Sequence, residues 1–188
     1  MSKKIYIISW PSGVGKTTIW KILVDMDDLL FEKVITTTTR CPREGESYGV
    51  HYYFVEKEKF SRLIEQNRMI EYAIVHGNYY WSSYEELDRI LDIWKIPLYI
   101  VDPQWAKFLK DKLIKDYDVS TIFLMPPSED ELVKRLNNRW TETQESFDLR
   151  LKESLDQIKD KDFYDYTIIN DDIDKTIDEF ISIIKPSS

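Results

Sequence analysis

The stretch from Trp10 to Thr17, WPSGVGKT, constrains this chain more than any other part of the sequence. It follows the apolar run IYII at residues 5–8 and precedes a segment with helical spacing. A glycine-containing turn between a buried strand and a helix N-terminus presents free backbone N–H groups and the positive end of the helix dipole to an anion. Lys16 and Thr17 occupy the positions that reach the β/γ-phosphates of a nucleotide and its Mg²⁺. The stretch therefore predicts a phosphate-binding loop.

Position 10 departs from the phosphate-loop pattern, which asks for glycine where this chain has Trp10. The alternative interpretation is a strand-to-helix turn that contains glycine and carries a lysine by coincidence. Gly13, Gly15, Lys16 and Thr17 fall in the required order and context, and this favours phosphate binding.

Composition limits the chain to one domain. It has 188 residues, 43% of them hydrophobic, which is enough for a full core with small inserted subdomains. The net charge of −8, from 34 acidic and 26 basic residues, argues against an extended surface for nucleic acid, because phosphate contacts there need clustered lysine and arginine. We therefore expect any anionic ligand to be held by a local basic pocket.

The single cysteine, Cys41, excludes an internal disulfide bond and fits a reducing cytosol. Together with His51 and His76 it lacks the number and spacing of zinc ligands. The apolar run before the phosphate loop is too short for a signal peptide or a membrane span. We expect a cytoplasmic protein without a nucleic-acid or membrane partner, and the sequence leaves its oligomeric state open.

Apolar periodicity alternates between strands and helices over most of the chain. Buried strands are predicted at residues 5–8, 97–101, 121–125 and 166–169, and helices at residues 17–26, 84–93, 104–115, 128–138, 147–158 and 173–184. This alternation is typical of an α/β fold with a mostly parallel sheet flanked by helices. Asp102 directly follows one predicted strand, at the sheet edge where ligands of open α/β sheets bind.

A strand-rich insert interrupts this alternation and indicates a smaller lobe at residues 34–83, within a core of residues 1–33 and 84–188. Its strands are predicted at residues 34–39, 51–55 and 69–75, with a charged loop at residues 40–46.

Arginines form three groups. Arg40 and Arg43, beside Tyr52, are suited to grip a phosphate; the alternative is a solvated loop with surface ion pairs to Glu44 and Glu46. Arg135 and Arg139 lie four residues apart on one predicted helix face, and Arg150 begins the next helical segment. We interpret the polar stretch between them, about residues 139–146, as a lid that moves these cations over a transferring phosphoryl group.

Five further motifs, in order and over nearly the whole chain, resemble those of guanylate kinases. They are TTRxPRxGE at residues 38–46, GxxYxF at 49–54, GNYY at 77–80, PPS at 126–128 and NDD at 170–172. The resemblance implies a P-loop nucleoside-monophosphate-kinase fold of one domain, residues 1–188, with a GMP-binding lobe and a lid. It also implies transfer of the γ-phosphoryl of ATP to GMP with Mg²⁺, a reaction of purine metabolism.

Carried over residue by residue, the resemblance implies several sets of site residues. The ATP-binding residues are Pro11, Ser12, Gly13, Val14, Gly15, Lys16, Thr17, Asn170 and Asp171. The GMP-binding residues are Thr36, Arg40, Arg43, Tyr52, Glu71, Tyr80, Ser82 and Asp102. The catalytic cations are Lys16, Arg135, Arg139 and Arg150, and the Mg²⁺ ligands are Thr17 and Asp102. Glu71 and Ser82 match the positions that read guanine: a carboxylate accepts from N1–H and N2–H₂, and a hydroxyl donates to O6.

Five tryptophans stand where the family has glycine, or in some members alanine at the first position. They are Trp10, Trp81, Trp94, Trp105 and Trp140. Our hypothesis is that they are glycines in the native protein, because a source that reads UGA as glycine gives this result when UGA is translated as tryptophan. The alternative is genuine divergence. If the tryptophans are real, we expect Trp10 and Trp81 to crowd the substrates and Trp140 to block the lid hinge, so that the chain as printed is a poor kinase or folds poorly.

Ile100 stands where the family usually has a carboxylate, so Asp102 acts there without a second acid or the site is weaker. Two other functions stay open. One is a non-catalytic guanylate-kinase-like module that binds phosphorylated peptides, and the other is a related kinase with a different acceptor. Lys16, Thr17 and the lid-region arginines favour an enzyme, and Glu71 with Ser82 favours guanine.

Overall fold

The computed structural model of the protein describes residues 3–11, 19, 22, 30–66, 68–75, 77–137 and 144–184. The predicted phosphate-loop residues from Ser12 to Thr17 lie outside these ranges. So do Arg139, Trp140 and most of the predicted lid, and the predicted helix at residues 17–26 except for Ile19 and Ile22, which are helical. Among the helices that the structure describes, none has the length and apolar character needed to cross a membrane.

Strands and helices alternate along the described ranges. The strands are β1 Lys4–Ser9, β2 Phe31–Lys33, β3 Thr37–Thr38, β4 Tyr53–Phe54, β5 Met69–Val75, β6 Asn78–Ser83, β7 Ile96–Ile100, β8 Asp118–Met125 and β9 Tyr166–Ile169. The helices are α1 Lys57–Glu65, α2 Tyr84–Asp92, α3 Pro103–Leu113, α4 Glu129–Asn137, α5 Gln144–Lys159 and α6 Ile173–Ile184, and a 3₁₀ helix spans Asp160–Phe163.

The strands form two sheets. Five lie in the order β2-β7-β1-β8-β9, in which the pairs β2–β7 and β8–β9 are parallel. The other four lie in the order β4-β3-β6-β5, with β3–β4 parallel and both β3–β6 and β5–β6 antiparallel. The predicted α/β fold with a mostly parallel sheet and a strand-rich insert is therefore confirmed.

The chain divides into two compact units. The first comprises Met1–Ile5, Leu30–Ile100 and Phe108–Val119, and the second comprises Tyr6–Leu29, Val101–Lys107 and Ser120–Ser188. In the first unit, Phe60, Leu63 and Trp81 form a buried hydrophobic cluster beside the four-stranded sheet. In the second unit, the rings of Phe123 and Tyr164 stack with their centroids 4.6 Å apart.

The prediction of one strand over residues 34–39 is wrong. The chain contributes β2 to one sheet and β3 to the other, and residues 34–36 connect them. The backbone N–H of Val34 donates to the Leu98 carbonyl at 3.0 Å, and that of Ile35 donates to Glu86 Oε1 at 3.1 Å. These partners lie far away in the sequence, so tertiary contacts override the β-propensity of the run.

Two local predictions concern helix starts. A helix was predicted from residue 128, and α4 begins at Glu129. The Ser128 Oγ accepts from the backbone N–H of Glu131 at 3.1 Å and caps this helix. The start of the following helix was predicted wrongly: Arg150 lies inside α5, which begins at Gln144.

Candidate active site

Arg40 is the centre of a half-buried cluster on the loop after β3. Its Nε donates to the Tyr80 hydroxyl at 3.1 Å, and its Nη2 donates to Glu46 Oε1 at 2.9 Å. The guanidinium carbon lies 5.6 Å from the centroid of the Tyr52 ring, and the Tyr52 and Tyr80 rings meet edge to face at 5.9 Å. The structure thus brings together Arg40, Tyr52 and Tyr80, three of the residues predicted to bind the acceptor nucleotide.

Glu46 anchors Arg40 in this cluster. Its Oε2 also accepts from the backbone N–H of Arg43 at 2.7 Å. The hydrogen bond from Arg40, followed by the one from the Arg43 backbone, lowers the pKa of Glu46 from 4.5 to about 2. The ion pair raises the pKa of Arg40 although burial opposes it, and burial raises the pKa of the Tyr52 phenol. A fixed guanidinium beside phenol hydroxyls suits a phosphate ligand.

The alternative of a solvated loop with surface ion pairs holds only in part. Arg40 does pair with Glu46, but their side chains are only 13% and 17% exposed. Arg43 lies on the same loop and is exposed.

Glu71 and Ser82 face each other across the antiparallel pair β5–β6. Glu71 Oε1 accepts from the backbone N–H of Ser82 at 3.1 Å, and both residues are buried. The Ser82 hydroxyl is buried without a hydrogen-bond partner in the part of the chain that the structure describes. The two groups predicted to read a guanine base are therefore neighbours.

An irregularity in the strand pairing places Glu71 here. The register shifts between Met69 and Glu71, so that two residues of β5 oppose one position of β6. Such a bulge redirects the side chains that follow it. As a result Ile70 and Glu71, although adjacent in sequence, are both buried.

Thr36 lies half-buried on the connection from β2 to β3. Its carbonyl oxygen accepts from the backbone N–H of Tyr53 at 3.0 Å, which ties it to the strand that follows Tyr52.

Asp102 lies in the second unit and has a structural role there. Its Oδ1 accepts from the backbone N–H groups of Gln104 at 3.0 Å and Trp105 at 3.1 Å. With Pro103 as the first helical residue, Asp102 is the N-cap of α3. The carboxylate is exposed.

Arg135 lies at the last turn of α4 and contacts the end of β9. Its Nη1 donates to the Asn170 carbonyl at 3.1 Å, and its Nε donates to Glu131 at 2.9 Å. The Asn170 side chain is buried and accepts from the Thr176 hydroxyl at 3.2 Å. A predicted catalytic cation and a predicted ATP-binding residue are therefore in contact, while Arg150 is half-buried on α5 and Asp171 is exposed.

Comparison with known proteins decides the family. A model of the guanylate kinase family matches residues 2–187. The guanylate kinase of Mycoplasmoides gallisepticum is 40% identical over 96% of this chain and 91% of its own length, and that of Prochlorococcus marinus is 37% identical over 97% of each. The chain belongs to the guanylate kinase family. A crystal structure of guanylate kinase from Anaplasma phagocytophilum is 32% identical, has a TM-score of 0.68, and covers 97% of this chain and 85% of that one.

Some residues of the predicted site lie within the described ranges and others outside them. Pro11 is buried at the end of β1, whereas Lys16, Thr17 and Arg139 lie outside the described ranges. Within those ranges no group of three or more acidic, histidine or cysteine side chains is arranged to hold a metal ion.

Two of the tryptophans that replace family glycines behave differently in the structure. Trp94 is 88% exposed and has φ of 60°, the left-handed region otherwise adopted among the described residues by Gly45, Gly49 and Gly77. It follows α2, where the backbone N–H of Trp94 donates to the Leu91 carbonyl and that of Lys95 donates to the Ile90 carbonyl. Helices often end on a left-handed residue in this position, which favours glycine. The conformation supports the glycine hypothesis at position 94.

Trp81 was expected to crowd the proposed GMP site, and its side chain lies on the opposite face of β6 from Ser82. Its side chain is fully buried in the cluster with Phe60, at 5.2 Å between ring centroids, because successive strand residues point to opposite faces and Ser82 takes the other one. The indole N–H has no hydrogen-bond partner among the residues described.

The sequence did not single out Glu86 on α2 and Tyr53 on β4, which are joined by a hydrogen bond of 3.0 Å from the Tyr53 hydroxyl to Glu86 Oε2. The only available signal was the spacing of Glu86 and Arg89, three residues apart on a predicted helix.

Proposed function

We propose that this protein transfers the γ-phosphoryl group of ATP to GMP, giving ADP and GDP. The observation that carries the proposal is the buried pair of Glu71 and the Ser82 hydroxyl. A carboxylate beside a hydroxyl complements N1–H, N2–H₂ and O6 of guanine. Adenine presents the opposite donor and acceptor pattern at that edge and would not supply the hydrogen bonds that guanine donates to the buried carboxylate, which costs about 1–3 kcal/mol or more.

The GMP phosphate is assigned to the Arg40 cluster. Arg40, Tyr52 and Tyr80 lie together, and Arg43 and Thr36 lie on the adjoining loop and connection. Guanidinium forks and phenol hydroxyls bind phosphate oxygens well. The limits of the GMP-binding lobe, residues 34–83, stay a prediction.

The donor nucleotide is assigned to the second unit. Pro11–Thr17 would hold the phosphates of ATP, and Asn170 and Asp171 would lie near its adenine. Mg²⁺ enters with ATP as part of the substrate, with the Thr17 hydroxyl and Asp102 as its proposed protein ligands. Lys16, Arg135, Arg139 and Arg150 would neutralise the charge of the migrating phosphoryl group, since phosphoryl transfer needs positioning and electrostatic stabilisation more than covalent help. Arg135 would leave its contact with the Asn170 carbonyl to do so.

No observation favours the alternative of a non-catalytic peptide-binding module, and the relatives reported above are named as kinases. The cytoplasmic location stays a prediction that the exposed free thiol of Cys41 is consistent with.

A coupled assay of ADP release tests the proposal. ATP with Mg²⁺ is supplied with GMP, dGMP, AMP or no acceptor, and we expect release with GMP and little with AMP. Glu71→Gln should lose most of the preference for GMP, whereas Glu85→Gln, which changes a 55% exposed side chain, should keep it. Equal release with GMP and AMP would reject guanine selection. No release with any acceptor from the chain with glycine at the five tryptophan positions would favour the binding module.

A further inference from the structure

Glu86 is a buried carboxylate outside the residues assigned to either nucleotide. It lies on α2, and its side chain is 3% exposed. Its two oxygens accept four hydrogen bonds from protein donors. Oε1 accepts from the Ile35 backbone N–H at 3.1 Å and from Arg89 Nη2 at 3.0 Å. Oε2 accepts from the Tyr53 hydroxyl at 3.0 Å and from Arg89 Nε at 2.8 Å.

Two of these donors are next to proposed GMP ligands in the sequence. Ile35 directly precedes Thr36, and Tyr53 directly follows Tyr52, so each contact is one residue away from a proposed GMP ligand. The backbone N–H of Tyr53 also donates to the Thr36 carbonyl at 3.0 Å. The Glu86 carboxylate therefore contacts both the segment that leads into β3, through Ile35, and the first residue of β4, Tyr53.

Arg89 anchors the carboxylate in turn. It forms a bidentate pair with Glu86, and its Nη2 also donates to Glu32 on β2 at 2.6 Å. This pairing raises the pKa of Arg89, with burial opposing it, and Lys95 adds a second cation to Glu32 at 3.2 Å. A buried carboxylate with all its donors in place fixes its neighbours more rigidly than an apolar contact does.

We infer that Glu86 is a positioning residue for the acceptor nucleotide: it orients Thr36 through Ile35 and Tyr52 through Tyr53, and it does not touch the substrate. The inference rests on the proposed function, because it assumes that Thr36 and Tyr52 contact GMP. It predicts that loss of Glu86 weakens GMP binding and leaves ATP binding unchanged.

Four variants test the inference. Glu86→Ala removes all four contacts, Glu86→Gln keeps an oxygen for Ile35 but loses the charge that pairs with Arg89, and Tyr53→Phe removes one hydroxyl. Asp88→Asn, on the exposed side of the same helix, is the matched control. Calorimetric titration with GMP and separately with ATP gives the dissociation constants, and thermal melting shows whether each variant is folded.

We expect Glu86→Ala to raise the GMP dissociation constant about tenfold or more, since small displacements of binding groups are costly, and to leave the ATP constant within about twofold. Glu86→Gln should recover part of the loss, Tyr53→Phe should lose less, and the Glu86→Ala/Tyr53→Phe double variant should bind GMP no more weakly than Glu86→Ala alone. If Glu86→Ala does not fold, Glu86→Gln and Tyr53→Phe carry the same comparison.

Two results overturn the inference in distinguishable ways. If wild type binds GMP and the folded variants bind GMP and ATP as wild type does, or lose both equally, Glu86 is structural only and the proposed function stands. If wild type binds no GMP, the proposed function fails and the positioning role fails with it.

Discussion

At the residue scale, Glu46 forms the ion pair that anchors Arg40 in its cluster. Its pKa falls from 4.5 to about 2 on folding, so its ionised form stabilises the folded protein. This contribution is complete above about pH 5 and is lost as the pH falls towards the folded pKa. We expect Glu46→Gln to lower the melting temperature at neutral pH. The difference in melting temperature between wild type and variant should become smaller from about pH 4.5 downwards. Thermal melts from pH 7 to pH 3 measure this difference, and a constant difference over that range would contradict the assignment.

Asp102 combines a structural and a proposed ligand role, and two substitutions separate them. Asparagine caps a helix about as well as aspartate, whereas alanine costs about 1 kcal/mol. We therefore expect Asp102→Asn to keep the free energy of unfolding and Asp102→Ala to lower it, because only the second removes the acceptor for Gln104 and Trp105. Both variants should lose most of their rate of ADP release. An Asp102→Asn variant with full activity would show that Asp102 is a helix cap only.

At the element scale, Trp94 follows the end of α2 in a left-handed, strained conformation. A left-handed φ costs an L-residue roughly 1–2 kcal/mol, and glycine avoids this cost. We expect Trp94→Gly to be more stable than Trp94→Ala by about 1 kcal/mol in urea unfolding, although both remove the same exposed indole. Equal stability of the two variants would show that the backbone at position 94 relaxes without cost.

The elements that the sequence predicted well are the long periodic ones. The strand predicted at residues 69–75 coincides with β5, and the final helix at residues 173–184 coincides with α6. The run at residues 34–39 failed because the hydrogen-bond partners of Val34 and Ile35 come from Leu98 and Glu86, which no local pattern indicates.

In the candidate site too, some features were predictable from the sequence and others depend on tertiary contacts. The loop at residues 40–46 was predicted from its charged residues and its glycine, and the resemblance to guanylate kinases indicated its proposed role. The contact between Glu71 and Ser82 depends on strand register and a bulge, and the burial of Glu86 depends on packing against β3 and β4. A one-residue register shift would move Glu71 or Ser82 to the other face of the sheet, so sequence spacing alone does not fix their contact.

At the scale of the whole molecule, the five tryptophans at family glycine positions make one joint prediction. The left-handed backbone at Trp94 supports glycine there, and the buried indole of Trp81 leaves its N–H without a partner in the described part of the chain. An indole N–H usually finds a partner when buried. We expect the intact mass of the protein from its native source to be lower than that of the printed chain by five Trp-to-Gly differences. A mass that matches the printed chain would contradict the hypothesis.

The same hypothesis predicts a difference in activity. A chain with glycine at all five positions should release ADP faster, in the presence of GMP, than the chain as printed. Equal steady-state rates would show that the tryptophans do not limit catalysis.

The central claim is that a phosphoryl group moves from ATP to GMP between the two proposed sites. The most direct measurement uses the chain with glycine at the five tryptophan positions and follows a label in the terminal phosphoryl of ATP during incubation with Mg²⁺ and GMP, with separation of the nucleotides. We predict that the label appears in the β-phosphate of GDP in step with ADP formation, and that AMP does not replace GMP as acceptor. Label that remains in ATP, or that appears only as inorganic phosphate, would contradict the claim.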